Sequence, residues 1–337
     1  MTGRVDAPSP GSHRVGALID GILEGPVVPS FSRIGYEVRS RVDHWTALDR
    51  YDLSGRVVAI TGPTSGLGRA TAGLLARAGA TLVLLGRDRD RTERVRAELH
   101  EEVGADRATV VLADMGDLAS VRTAAGEILA AHPRLDALVH NAGTLDAARR
   151  VTADGIESTI AVQVAGPFLL TGLLFPRLRA SAPSRVVTVS SGGMYATGLD
   201  VDHLEMGDDY KGSEQYARAK RAQVTLNGLW AERTVGSGVA FHAMHPGWAD
   251  TPGVAASLPR FKKLMGPLLR TPDQGADTIA WLVADDGEPA TTSGSFWLDR
   301  RTRPLHKLPS TRRTDTPAER ARLWDWCVAR TGLDPLA

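Results

Sequence analysis

From Gly55 onward, short β-branched runs alternate with segments in which apolar residues recur every three or four positions. This is the pattern of strands joined by helices in a parallel sheet covered on both faces. The first run, 56–61, leads into a glycine turn and then a helix with Leu67, Ala70, Leu74, Leu75 and Ala78 on one face. Gly79 is placed to end that helix. Further strands are predicted at 81–85, 108–113, 135–140, 185–190, 239–244 and 294–298. The expected fold class is therefore α/β, a doubly wound parallel sheet of seven strands with helices on both faces.

Two segments fall outside the alternation, residues 1–54 and 301–337, and both carry helical signals. In front, Phe31, Ile34, Val38, Val42 and Trp45 form an apolar stripe, while Arg33, Arg39 and Arg41 lie elsewhere around the helix. Behind, Thr316-Pro317-Ala318-Glu319 reads as a capping box with proline at the first helical position, followed by an apolar stripe of Leu323, Trp324, Cys327 and Val328. Each segment is too short for a core of its own, so the expectation is one domain, 55–300, with helical extensions at both ends. The front helix has three readings, in descending order: docking on its own domain, a homo-oligomer interface, and peripheral contact with a membrane through residues 31–45.

Composition narrows the partners. The chain of 337 residues has 40 Lys+Arg against 39 Asp+Glu, a net charge of +1, which gives no support to a nucleic-acid partner. A single cysteine, Cys327, excludes an intrachain disulfide and a cysteine-rich zinc site. No metal is expected: on a strand, His242 and His245 face opposite sides. No run of about 18 apolar residues is present. The most apolar N-terminal stretch, 15–29, is broken by Asp20, Glu24 and Pro26 and lacks export-signal features, so a soluble cytoplasmic chain is expected.

The candidate chemistry begins at Thr61-Gly62-Pro63-Thr64-Ser65-Gly66-Leu67-Gly68, between a strand and a helix. There a dinucleotide pyrophosphate is held by backbone N–H groups and the helix N-terminus, and glycines let the backbone approach it. No acid ends the second strand to bind a ribose 2′-hydroxyl; it ends Leu85-Gly86-Arg87. Arg87 can pair with a 2′-phosphate, which favours NADP(H) over the alternative NAD(H), unless Arg87 is merely a solvated surface residue.

Tyr216 and Lys220 are four residues apart on a predicted helix and so share one face. A tyrosine with its ordinary pKa near 10 needs a neighbouring cation to act as acid or base near neutrality, and Lys220 can supply it. Ser191, at the end of a strand and before Gly192-Gly193, can hydrogen-bond the reacting oxygen from the other side.

The ordered set 61–68, Asp114, Asn141-Ala142-Gly143, Ser191, Tyr216-x-x-x-Lys220 and Pro246-Gly247 resembles the short-chain dehydrogenase/reductase family over roughly residues 55–300. The resemblance implies a Rossmann-type domain in which Tyr216 exchanges a proton with a carbonyl or alcohol and Ser191 orients that oxygen. Lys220 would lower the phenol pKa and hold the nicotinamide ribose. By the same resemblance Thr61, Gly62, Thr64, Ser65, Gly66, Leu67 and Gly68 would surround the pyrophosphate. Asp114 and Met115 would lie at the adenine, Asn141, Ala142 and Gly143 would border the cofactor, and Pro246, Gly247, Trp248 and Thr251 would pass beside the nicotinamide. One position departs from the family: Gln163 stands where an asparagine is usual, and it is carried as a fourth catalytic member. Glutamine keeps the amide but adds a methylene, which can misplace a relay water.

Two further segments bear on the substrate. The acid-rich insert 194–213, with Asp200, Asp202, Glu205, Asp208 and Asp209, lacks calcium-loop spacing and reads as a solvated flap. Residues 248–270, with Val254, Leu258, Phe261, Leu264 and Met265, read as an apolar lid that prefers a lipophilic substrate. Thr271 then opens a capped helix. The expected function is an NADP-preferring carbonyl/alcohol oxidoreductase. The competing reading is a dinucleotide-binding sensor or scaffold without useful turnover.

Overall fold

The structure is a computed structural model that describes residue 20 and residues 27–253, 259–334 and 336. Val254 and Leu258 of the expected lid, and most of the stretch 15–29, lie outside the described residues.

Two short helices, α1 (Val27–Phe31) and α2 (Arg33–Val42), precede the sheet. Then follow β1 (Val57–Thr61), α3 (Gly66–Arg77), β2 (Thr81–Gly86), α4 (Arg89–Val103), β3 (Ala108–Leu112), α5 (Leu118–Ala131) and β4 (Ala137–His140). A π-helical turn, Ala161–Ala165, runs into α6 (Gly166–Ala180). Next come β5 (Ser184–Val189), α7 (Gly212–Arg233), β6 (Val239–Met244), α8 (Pro259–Met265), α9 (Pro272–Ala284) and β7 (Ser295–Leu298). The chain closes with β8 (Arg301–Thr302), α10 (Pro309–Thr314) and α11 (Pro317–Thr331).

The sheet order is β3-β2-β1-β4-β5-β6-β7-β8. The expected seven parallel strands are present, and an eighth pairs antiparallel to β7. The correction has a physical cause. Asp299 and Arg300 form a two-residue hairpin turn with φ of 55° and 53°, the backbone that such turns require and that sequence reading associates with Asn-Gly or Gly-Gly. Here it is imposed by tertiary ion pairs: Asp299 with Arg270 and Arg39, and Arg300 with Asp277.

One face of the sheet is filled by α5, α6 and α7 with the α11 side chains Leu323, Trp324 and Cys327; the other is filled by α3, α4 and α9. Ser158–Ala180 is long and apolar enough to cross a membrane, with mean hydropathy 1.6, but 83% of that window is buried inside the fold. Thr271 and Gln274 form a reciprocal capping box on α9. On α11 only half of the expected box forms. Thr316 Oγ1 accepts from the Glu319 N–H, while the Glu319 carboxylate accepts from the Val201 N–H instead.

That contact belongs to a second correction. The insert after Ser191 is not a solvated flap, because Leu199, Leu204 and Met206 are buried, and Asp202 and Glu205 pair with Arg322 and Arg330 of α11. Asp200, Asp202, Asp208 and Asp209 face outward, and the apolar residues between them fasten the segment down.

The third correction concerns α2. Its buried positions are Gly35 and Arg39, in line with buried Phe31 at four-residue spacing, whereas Ile34 is 47% exposed. A Cβ on Gly35 would lie 2.5 Å from the main-chain oxygens of Pro29 and Ser30, so glycine is what lets α2 fold back on α1. Arg39 can face inward because it meets Asp20 and Asp299 there.

Candidate active site

The strand order reverses between β1 and β4, and the C-terminal ends of those strands open a crevice where doubly wound sheets bind ligands. A cleft of about 770 Å3 lies there, walled by the glycine turn, the end of β2, the loop after β3 and the residues after β4. Gly62, Thr64, Ser65, Gly66, Leu67, Arg87, Asp114, Met115, Asn141, Ala142, Gly143 and Thr251 line it.

The cradle requires glycine. Gly62 and Gly66 have φ of 66° and 53°, and a Cβ on Gly68 would lie 2.2 Å from the Gly62 oxygen and 2.4 Å from Asn141 Nδ2. The turn is tied to β4. Thr61 Oγ1 accepts from the N–H groups of Asn141 and Ala142, and Asn141 Nδ2 donates to the oxygens of Thr61 and Gly62, all at 3.0 Å. Ser65 precedes the first residue of α3, whose twelve residues aim their N-terminus into the cleft. This bare backbone, helix N-terminus and cationic Arg87 at the rim suit a dinucleotide with a phosphorylated ribose.

Ser191, Tyr216, Lys220 and Gln163 do not line that cleft; they gather next to it at the end of β5. Ser191 follows the strand, and its Oγ accepts from the Gly193 N–H. A Cβ on Gly193 would touch Ser191 Oγ on one side and the Tyr216 ring on the other, so the two hydroxyl-bearing residues flank this glycine. One turn along α7 from Tyr216, the Lys220 ammonium lies 5.1 Å from the centre of the Tyr216 ring and donates to the Val189 oxygen at 2.9 Å and to Gln223 Oε1 at 3.0 Å. Burial pushes the Tyr216 phenol up to about 12, against the pull of a hydrogen bond from Ser191. Burial also pushes the Lys220 ammonium down to about 7.

Gln163 sits in the π-helical turn, a distortion common where a helix serves a site. Its side-chain Nε2 donates to the Thr144 oxygen at 2.9 Å, while its main-chain oxygen accepts from Gln223 Nε2 at 2.9 Å. The amide side chain therefore points toward the loop after β4, and the contact with the lysine neighbourhood runs through the backbone.

Pro246, Gly247 and Trp248 follow β6 and are held by α1 and its neighbours. The Trp248 N–H donates to the Phe31 oxygen at 2.7 Å, and Arg270 reaches the oxygens of Pro246, Ser32 and Ser30. Phe31 packs edge-on against His245 and Trp248 and stands against Gly192, whose Cβ would lie 2.8 Å from Phe31 Cε2. Residue 31 thus reaches both loops that flank the candidate site. Sequence reading placed Phe31 and Arg39 on the front helix without linking them to the site, and did not single out Arg270 or Gln223. The Phe31, Gly35, Arg39 spacing was the available signal for the first two; an amide three residues after Lys220 gives none. His242 is not a ligand candidate: its two ring nitrogens meet the Pro289 oxygen and Trp297 Nε1.

A family profile for short chain dehydrogenases matches residues 56–260. Dehydrogenase/reductase SDR family member 12 of Bos taurus is 37% identical over 294 residues, covering 87% of this chain and 91% of that protein. Human retinol dehydrogenase 14 is 35% identical over 301 residues, covering 83% and 88%. Among solved structures, an uncharacterised protein from Mycobacterium paratuberculosis superposes with a TM-score of 0.68 at 29% identity, over 86% of this chain and 98% of that one. A Beutenbergia cavernae protein, provisionally assigned as an NAD(P)-dependent gluconate 5-dehydrogenase and holding NADP at low occupancy, gives 0.60 at 27% identity, over 74% and 96%. With the glycine cradle, the switch-point cleft and the Tyr216/Lys220 pair on one fold, the chain belongs to the short-chain dehydrogenase/reductase family of oxidoreductases.

Proposed function

We propose that the chain is an NADP(H)-preferring oxidoreductase that transfers hydride between the nicotinamide and a carbonyl or alcohol carbon of a lipophilic small molecule. Domain 55–300 carries the chemistry, and 1–54 and 301–337 are its extensions. The observation that carries this reading is the gathering of Ser191, Tyr216 and Lys220 beside a glycine-cradled cleft with Arg87 at its rim.

In this reading Gly62, Gly66 and Gly68 leave room for the pyrophosphate against backbone N–H groups, and Thr64, Ser65 and Leu67 flank it. Arg87 pairs with the 2′-phosphate. Asp114 and Met115 border the adenine, Asn141 to Gly143 border the ribose, and Pro246, Gly247, Trp248 and Thr251 face the nicotinamide side. The bound cofactor supplies or accepts the hydride. The protein moves the proton: the Tyr216 hydroxyl gives it to the carbonyl oxygen during reduction and takes it from the alcohol during oxidation. Ser191 donates a hydrogen bond to the same oxygen and fixes its position. Lys220 places a positive charge 5.1 Å from the centre of the Tyr216 ring, and a cation there favours the phenolate. Gln163 is kept as the fourth member.

The lipophilic substrate class is supported by the retinol dehydrogenase relative and by Leu264, 80% exposed on α8, the helix that Lys262 ties to Asp250. A cytoplasmic location is inferred from the lone buried thiol of Cys327.

The test follows NADPH absorbance with a panel of apolar aldehydes and ketones. Turnover in the wild type, with loss of at least a hundredfold in Tyr216→Phe at unchanged NADPH affinity, is the expected result. Tight NADPH binding with no turnover across the panel overturns it and favours a cofactor sensor.

A further inference from the structure

Lys220 has two acceptors in this structure, and they differ in kind. The Val189 oxygen belongs to the sheet and is fixed by it, whereas Gln223 Oε1 belongs to a side chain three residues along α7, on the same helical face. Gln223 is itself buried, at 4% exposure, with Lys220 at 3%. Neither end of the amide is loose. Its Nε2 donates to the main-chain oxygen of Gln163 in the π-helical turn, and that oxygen can only accept, so the amide oxygen must face the ammonium. The result is a chain of contacts from the Tyr216 ring to Lys220 Nζ, to Gln223, to the backbone of Gln163.

We propose that Gln223 is a positioning residue for Lys220: its amide fixes the ammonium beside the Tyr216 ring and anchors it to the Gln163 carbonyl. This rests on the reading of Tyr216 and Lys220 given above. A side-chain amide neither takes up nor releases a proton near neutrality, so it steadies the charge without titrating itself. A hydrogen bond to a buried ion is among the stronger ones, and removing one acceptor disfavours the charged form. Burial already pulls the Lys220 pKa down to about 7, so a lost acceptor leaves less ammonium beside Tyr216 near neutral pH. The phenol then titrates higher, and alcohol oxidation, which needs its basic form, moves to higher pH. This also explains how Gln163 serves the site although its side chain points to Thr144.

The experiment compares pH profiles of kcat for alcohol oxidation in the wild type, Gln223→Met and Gln223→Glu, with NADP affinity and melting temperature measured alongside. Methionine keeps the volume and removes the acceptor; glutamate keeps the acceptor but cancels the field of the ammonium. Both variants are expected to raise the apparent pKa by about one unit, cutting the rate about tenfold below it, with NADP affinity within about threefold of wild type. A profile that falls evenly at all pH values, or does not change, overturns the proposal and makes Gln223 a packing residue. If the methionine variant does not fold, Gln223→Leu, which also removes the acceptor, decides on the same criterion. Tyr216→Phe separates the two levels: wild-type turnover there sinks the functional reading itself, whereas an inactive Tyr216→Phe with unmoved Gln223 profiles sinks only this proposal.

Discussion

Arg39 and Asp299, 260 residues apart in the chain, meet at 2.7 Å with each side chain 1% exposed. Asp299 also takes a bidentate pair from Arg270, and Arg39 is shared with Asp20, which in turn meets Arg301 and Arg303. Burial pushes the Asp299 carboxyl up, but the two guanidinium groups overcome it and hold the group below the ordinary carboxylate range. Removing one partner of such a buried pair leaves an uncompensated charge, at a cost of about 3–5 kcal/mol. Arg39→Met should fall at the lower end, because Arg270 still neutralises Asp299, while Asp299→Asn should cost more by leaving Arg270 without a carboxylate partner and Arg39 with Asp20 alone. Urea titration is the check. A free-energy loss below about 1 kcal/mol in both variants would show that the network adds nothing net.

The same pair marks where sequence reading stops. Apolar periodicity located β1 to β7 and the helix α3 because each depends on its own local pattern. Glycines at 62, 66 and 68 were legible because the backbone there leaves no room for a side chain. The inward turn of Arg39 was not, since burying an arginine depends on acceptors contributed by Asp20 and Asp299 from distant parts of the chain. For the same reason β8 was missed, its turn being imposed by partners rather than by turn-forming residues. The spacing of Tyr216 and Lys220 put them on one helix face in advance; that Gln223 would bridge to a π-helical turn needed the fold.

Phe31 and Gly192 supply a prediction about the front segment. A methyl group on Gly192 would meet the Phe31 ring at 2.8 Å, and overpacking of this kind costs about 1–3 kcal/mol. Gly192→Ala should therefore displace the Ser191 loop and lower kcat by about tenfold or more, while Phe31→Ala in the same chain should recover much of the loss by making room. A double-mutant cycle on kcat and on unfolding free energy measures the coupling. Strictly additive effects would mean that the front helix does not act on the Ser191 loop.

Arg87 supplies a prediction about cofactor choice. It is exposed at the rim of the cleft, on the turn after β2, where a ribose 2′-substituent would lie. A charge-assisted hydrogen bond there is worth about 1.5–3 kcal/mol, so Arg87→Ala should weaken NADPH binding by about 10- to 100-fold and leave NADH binding within about twofold. Fluorescence titration of both cofactors reads the ratio. An unchanged NADPH affinity would assign Arg87 to the solvated surface.

Three of the four buried histidines among the described residues, those at 140, 242 and 245, make stability depend most on acid. Burial pulls His140 and His245 down to about 3 and His242 down to about 4, so all three are neutral in the fold at pH 6. The unfolded chain binds protons at these residues near pH 6.5, before the folded chain does, so stability must fall as pH drops from about 6.5 toward 4. Lys220 carries the same sign in a higher window: with its folded pKa pulled from 10.5 to about 7, stability rises with pH between those values. Each histidine contributes up to about 1.4 kcal/mol per pH unit once its unfolded form is charged. Urea midpoints at pH 7.5 and 5.0 should therefore differ by several kcal/mol in unfolding free energy, and His140→Gln should remove about a third of the histidine share. His140 Nε2 meets Thr171 Oγ1 at 2.7 Å and its Nδ1 has no hydrogen-bond partner among the described residues; a glutamine amide can also reach Thr171, so the variant isolates the proton from the packing. Equal stability at the two pH values would mean that these histidines take up protons inside the fold.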